Sequence, residues 1–308
     1  MHPAPSIILF TTLSGLGYGL AAVLGLGLLD PSAIATKLAH ILALTLIAGG
    51  LISSTLHLGN PQRAWRAFSQ WRARWVSREG GVGGLAFVPL GINATTSVWS
   101  GRYLPLPGLL GAVFCGITVY CTAMIYASLR SVEAWNTRWT PVSYLLFALA
   151  GGLALASFFS SLGGNARPLL PLLAGMAISA AWLAKIFWWA RLRAMTTLST
   201  PESATGLGPI GKVRLFEPPH MNGNYLTREM GFRVARKHAV RLKRIAVVGG
   251  GVLPALLLAM LVLPGGPAGI AAAAMAGIAA LLLFGGTLVE RWLFFAEARH
   301  AVMNYYGS

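Results

Sequence analysis

An all-α fold is predicted for this sequence: a polytopic membrane protein built as a bundle of eight transmembrane helices with one basic insertion. Three observations lead there. Of 308 residues, 56% are hydrophobic and only 10% charged, against about 25% charged residues in an ordinary soluble domain. The mean hydropathy is +0.66. The apolar residues also gather into blocks long enough to cross a hydrocarbon core, which takes roughly 20 residues per helix.

The first block, residues 7–29, has no Lys or Arg before it, no twin arginine and no small-residue cleavage site at its end. It therefore reads as a retained helix, not as a signal peptide. Within it Gly15 and Gly19 form a G-x-x-x-G, a spacing that lets membrane helices approach closely. The second block, 34–57, ends at His57, and a short polar connection leads to the third, 79–99. There Ser77 is a candidate N-cap, Glu79 falls in the expected first turn, and Gly80 and Gly84 repeat the small-residue spacing. The fourth block, 106–128, holds the two cysteines, Cys115 and Cys121, with no C-x-x-C. Two thiols cannot ligate an iron–sulfur cluster that needs four, so they read as small core residues. Blocks at 141–162, 168–190, 245–264 and 268–297 complete the set, the last long enough to tilt or to project from the bilayer. The whole chain, 1–308, reads as one transmembrane domain, with an extramembrane insertion at 191–244 between the sixth and seventh helices.

A net charge of +16 suggests nucleic acid only until the basic residues are placed. With the N-terminal side of the first helix called side A, 21 of the 24 Lys and Arg residues fall on side A, leaving Lys37, Arg102 and Arg167 opposite. Positive residues concentrate on the cytoplasmic side of membrane proteins. Both termini are thus expected in the cytoplasm of a bacterial cell, across its cytoplasmic (inner) membrane, with membrane lipids and no nucleic acid as partners.

The insertion opens with TTLSTPESATGLGPIGKVRLFEPPHMNGNYLTREMGF, rich in turn formers, and closes with the basic stretch REMGFRVARKHAVRLKR. That stretch suits anionic lipid headgroups or the docking of a soluble partner, and one helix can serve both. Gly206, Gly208 and Gly211 satisfy G-x-G-x-x-G, and Gly206 to Lys212 satisfies G-x-x-x-x-G-K. Neither has the strand that such phosphate loops follow, Pro209 interrupts both, and Val213 stands where a magnesium-binding Ser or Thr is needed.

The connection HLGNPQRAWRAFSQWRARWVSREG carries five arginines, three tryptophans, one histidine and one glutamate. Topology explains the arginines and leaves His57 and Glu79, at helix ends that so short a connection makes neighbours. Each alone is unremarkable: Glu79 suits a helix start. Together they supply the proton-accepting groups that a quinol, releasing two protons and two electrons, would need. Trp65, Trp71 and Trp75 suit the interfacial belt, or the walls of a flat headgroup pocket. A b-type cytochrome is the competing redox reading; no histidine pair sits at mid-membrane depth, and only His57 with His300 offers a pairing. An ion or small-molecule transporter is the other alternative. Against it, ionisable residues gather at one end, at Glu290, Arg291 and Glu297, and no inverted repeat is visible.

The run STLHLGNPQRAW followed by WVSREG resembles the second-to-third helix region of the DMSO reductase membrane-anchor family, the DmsC type, and IYASLRSVEAWNTRWTP and ERWLFF agree with it. The resemblance spans essentially the whole sequence. It implies a membrane anchor that exchanges electrons with a quinone or quinol (menaquinone or ubiquinone) and with an iron–sulfur subunit, beside a molybdopterin catalytic subunit. It implies that this protein itself holds no haem and no iron–sulfur cluster. Carried over by position, the family's quinol-site histidine falls on His57 and its acidic residue on Glu79, and Arg63, Trp71, Trp75, Arg78 and Arg291 are the further candidates for headgroup binding. The family's best-known members have less basic partner-facing loops and a smaller insertion. Those departures look more like the anchor of a cytoplasmic sulfite-oxidising molybdoenzyme, a sulfite dehydrogenase that passes electrons to quinone.

Overall fold

The computed structural model describes residues 3–56, 58, 60–164, 167–195, 200–217 and 234–305. Six membrane-length helices come first: α1 (Pro5–Gly25), α2 (Ile34–Leu56), α3 (Trp75–Ser100), α4 (Pro105–Ala127), α5 (Trp139–Leu162) and α6 (Leu169–Ala194). A short helix, α7 (Pro201–Thr205), lies in the insertion. The seventh crossing, His238–Met260, joins α8 (Val234–Val247) to α9 (Leu253–Met260), and α10 (Gly269–Ala296) is the eighth. No strand occurs among the described residues. The protein is the all-α, eight-span membrane bundle that its apolar blocks predict.

Between membrane helices there is little hydrophobic drive, because lipid tails are as apolar as leucine; close backbone contact takes its place. Accordingly α1, the helix most enclosed by its neighbours, packs against α2, α4 and α5 through glycines. A methyl on Gly19 would stand 1.9 Å from the Ala148 carbonyl oxygen of α5, and one on Gly25 would stand 2.4 Å from the Gly108 oxygen of α4. Of the two predicted small-residue pairs, only Gly19 works this way. Gly15 and Gly84 face open space, and a methyl on Gly80 would meet the ring of Phe68 from the preceding loop.

The seventh crossing changes pitch midway. Pro254 has no N–H to give the Gly250 carbonyl one turn back, and Val248–Val252 widen into a π-helical turn around the three glycines. The orphaned Gly250 oxygen instead accepts the indole N–H of Trp182 from α6 at 2.9 Å. The same glycine lets α10 close in, since a methyl there would lie 2.4 Å from the Gly286 Cα.

At the side-A end of α3 the structure corrects the sequence reading. The helix begins at Trp75, with Arg74 at the N-cap and no side chain capping it. Ser77 is buried inside the helix and not at its start, and Glu79 lies beyond the first turn. The preceding residues form a 3₁₀ segment, Pro61–Gln70, which lays Phe68 and Trp71 over Gly80 and Gly81. Here small residues seat a loop.

In the insertion, α7 starts with a capping box between Thr200 and Ser203 and stops at Gly206 in the left-handed region (φ 71°). The Glu202 carboxylate accepts the Val213 N–H at 3.1 Å. Backbone and side-chain hydrogen bonds hold that carboxyl below the usual glutamate range. A carboxylate thus occupies a backbone donor of the glycine-rich loop that mimics a phosphate cradle.

Candidate functional site

His57 lies outside the described residues. The other expected site residues divide into an outer and an inner group. Outside, Arg78 caps the side-A surface of α3: its Nε donates to the Trp71 carbonyl at 3.1 Å and its Nη2 to that of Arg72 at 2.9 Å. Its guanidinium stacks 4.3 Å from the Trp75 ring centroid, and Trp75 meets Tyr120 edge-on at 6.0 Å. Trp71, Trp75 and Arg78 are therefore brought together, with Trp71 exposed. Arg63 sits exposed near the start of the 3₁₀ segment.

Inside, Glu79 points into the bundle and is buried. Its Oε1 lies 2.5 Å from the Thr122 hydroxyl of α4, and the same hydroxyl lies 3.0 Å from the Thr118 carbonyl one turn earlier. A threonine hydroxyl has one proton and spare lone pairs. With Glu79 ionised, Thr122 donates to the carboxylate. With Glu79 protonated, Thr122 turns its proton to Thr118 and accepts from the carboxyl. The pair satisfies either protonation state without moving a backbone atom. One turn further along α3, Gly83 leaves room for the Tyr18 hydroxyl, which a methyl there would meet at 2.9 Å. That hydroxyl is buried with no hydrogen-bond partner among the described residues.

Arg291, an expected binder, is also buried, and the structure surrounds it with partners that sequence reading misses. Its guanidinium lies 3.6 Å from the centroid of Tyr144 and 3.2 Å from Glu290 Oε2. Glu290 Oε1 in turn pairs with Lys185 Nζ of α6 at 2.6 Å, and both side chains are closed off from solvent (1% and 0% exposed). Sequence position groups Lys185 with the charges of side A; it is a core residue of the membrane bundle, with its ammonium 3.7 Å from the Trp188 ring. Its place inside an apolar run of α6, nine residues short of the helix end, is the signal that reveals it.

A narrow cleft reaches both Thr122 and Arg291, with Leu16, Val119, Phe147 and Ala148 in its wall. Thr11, Thr12 and Ser14 of α1, Thr122 of α4, Tyr144 of α5, and Thr287 and Arg291 of α10 line it. Thr12 Oγ1 and Arg291 Nε are buried there without hydrogen-bond partners among the described residues, a state that ordered water commonly relieves. Toward side A the cluster continues. The Trp189 indole donates to Glu297 Oε2 at 3.0 Å, and Glu297 Oε1 pairs with Lys243 at 2.5 Å. Glu297 opens onto a cleft of about 450 Å³ shared with Glu133, Arg299 and His300. Partial burial pushes the His300 imidazole below its usual range, and its Nδ1 accepts the Val302 N–H at 3.1 Å. Among the described residues no cluster of three or more His, Cys, Asp or Glu is placed to hold a metal ion.

Comparison with known proteins agrees over the length of the sequence. The family model described as DMSO reductase anchor subunit (DmsC) matches residues 1–296. The protein is 32% identical to the C subunit of the sulfite dehydrogenase of Allochromatium vinosum over 339 aligned positions, which span 100% of this protein and 99% of that one. It is 29% identical to the C chain of the anaerobic dimethyl sulfoxide reductase of Escherichia coli over 174 positions, 52% of this protein and 57% of that one.

Proposed function

Because the chain belongs to the DMSO reductase anchor subunit (DmsC) family, we propose that it is the membrane anchor and quinone-reactive subunit of a molybdopterin oxidoreductase complex. In this reading it exchanges electrons with an iron–sulfur subunit in the cytoplasmic membrane. The full-length likeness to the C subunit of a sulfite dehydrogenase favours sulfite oxidation in the catalytic partner, with electrons passing into quinone.

The observation that carries the quinone reading is the Glu79–Thr122 pair, a buried carboxyl whose partner serves both of its protonation states. A bound quinone would supply the two-electron, two-proton chemistry. The residues here suit such a headgroup: the Tyr18 hydroxyl, unpartnered among the described residues, is a donor for a quinone oxygen, and Glu79, one turn before the Gly83 that this hydroxyl rests against, is a proton-exchanging group. Trp71, Trp75 and Arg78 form an aromatic and cationic rim where α3 meets the interface. His57, at the end of the α2 sequence, would complete the proton-handling pair.

The test separates quinone-linked turnover from turnover with a soluble dye that takes electrons directly from the hydrophilic subunits. Glu79→Gln keeps the shape of the side chain and removes the titrating group, so quinone-linked turnover should fall about 10²–10⁴-fold, the usual contribution of a positioned general base, while dye-linked turnover survives. His57→Ala should behave alike. Equal loss of both activities would make the residues structural, and full retention would move the site elsewhere.

A further inference from the structure

Glu79 is closed off from side A by its own burial, so a proton that it exchanges with a quinone needs a way through the bundle. We propose that Glu290, held between Lys185 and Arg291, is a proton relay connecting Glu79 to the side-A surface through Glu297. This rests on the quinone reading of Glu79.

The spatial order of the groups supports a path. Thr122, the hydroxyl on Glu79, and Arg291 line the same cleft, together with Thr12 of α1 and Thr287 of α10. Thr12 Oγ1 and Arg291 Nε, without hydrogen-bond partners among the described residues, are sites where a water molecule would gain partners between Thr122 and the Glu290 cluster. Glu290 touches Arg291 on one side and Lys185 on the other. The Lys185 ammonium lies 5.4 Å from the Trp189 ring centroid, and the Trp189 indole donates to Glu297 Oε2 at 3.0 Å. Glu297 is 12% exposed and faces the side-A cleft.

A purely structural role would ask less of these residues. Buried ion pairs rarely add stability over apolar side chains of the same volume, and ionisable groups inside a membrane bundle commonly mark ion or proton routes. The balance is simple. Reduction of one quinone takes two electrons from the iron–sulfur partner and two protons from side A by way of Glu297, Glu290 and Glu79. Oxidation of quinol returns both by the same route.

The experiment uses the complete complex with decylubiquinone as acceptor. Three variants are compared: Glu290→Gln, the charge-neutral double variant Lys185→Met with Glu290→Gln, and Glu79→Gln. Measured for each are quinone-linked turnover, dye-linked turnover, binding of a fluorescent quinone analogue, and the solvent deuterium isotope effect on quinone-linked turnover. The expected result for both Glu290 variants is a fall of tenfold or more in quinone-linked turnover, with a raised isotope effect and unchanged dye-linked turnover and analogue binding. Wild-type quinone turnover with an unchanged isotope effect in the double variant would overturn the relay and leave the cluster a structural brace. Loss of analogue binding in that variant would also overturn it, placing the cluster in the headgroup pocket itself. Retained quinone turnover in Glu79→Gln would remove the quinone reading, and the relay with it. Collapse in Glu79→Gln beside normal Glu290 variants would remove the relay alone.

Discussion

Among the described residues the buried acidic and basic side chains, histidine aside, are Glu79, Lys185, Glu290 and Arg291. Glu290 faces both Lys185 and Arg291 while Glu79 is bonded to Thr122, and with all four ionised the interior carries no net charge. Removing one partner of such a set leaves an uncompensated charge and typically costs about 3–5 kcal/mol, whereas replacing a pair by neutral groups of similar size costs far less. Lys185→Ala should therefore lower the thermal unfolding midpoint of the detergent-solubilised protein sharply. Glu290→Gln, which leaves both Lys185 and Arg291 without their carboxylate, should lower it further. An unchanged midpoint in Glu290→Gln beside a fall in Lys185→Ala would show that Lys185 contributes through packing on Trp188 instead of through its charge. Half of this site is legible in the sequence. The side-A cluster at Glu290 and Arg291 stands out against an apolar helix, and Glu79 stands out beside His57. Lys185 shows only as a lone cation in the apolar run of α6, and Thr122 and Tyr18 do not show, because each takes its role only when helices remote in sequence come together.

At the scale of the helix, small-residue spacing marks where close approach is possible, and neighbouring helices decide which of the small residues is used. Gly15 and Gly19 share one motif, yet only Gly19 rests against another backbone. Gly19→Ala should force α1 away from Ala148 of α5 and cost about 1–3 kcal/mol as over-packing. Gly15→Ala, with nothing within 4 Å of its new methyl, should change the unfolding midpoint little. Similar losses from both would contradict the helix arrangement described here. The start of α3 shows the reverse difficulty. Ser77 and Glu79 have the composition of a helix N-terminus, but the polar loop before them is itself wound, and the helix begins four residues ahead of Glu79. That offset turns a first-turn carboxylate into a buried one.

For the whole molecule, eight spans are legible because length and hydropathy alone define them. Orientation rests on charge. Lys185 and Arg291, grouped with side A by sequence position, are buried in the bundle, and the remaining side-A cations still greatly outnumber Lys37, Arg102 and Arg167 opposite. Both termini are thus expected in the cytoplasm. Reporter fusions at the C-terminus and in the 100–106 loop should give opposite answers, with the C-terminal fusion inside. A periplasmic C-terminus would mean that the basic loops meet a partner and do not set the topology.

The Lys185–Glu290 pair also bears on how the protein is made. Lys185 lies in the sixth crossing, and Glu290 is synthesised about a hundred residues later, in the last. Until then α6 enters the bilayer with a lone ammonium, at a cost of about 2.5–3.5 kcal/mol for a charge near the helix centre, which its apolar residues must outweigh. The nascent protein is in this sense unfinished until its final helix arrives, and α10, by bringing the counter-charge, closes the bundle as a latch. A truncated form that lacks that helix would remain an insertion intermediate with a charge exposed to lipid, the kind of species that membrane quality control removes before any partner could dock.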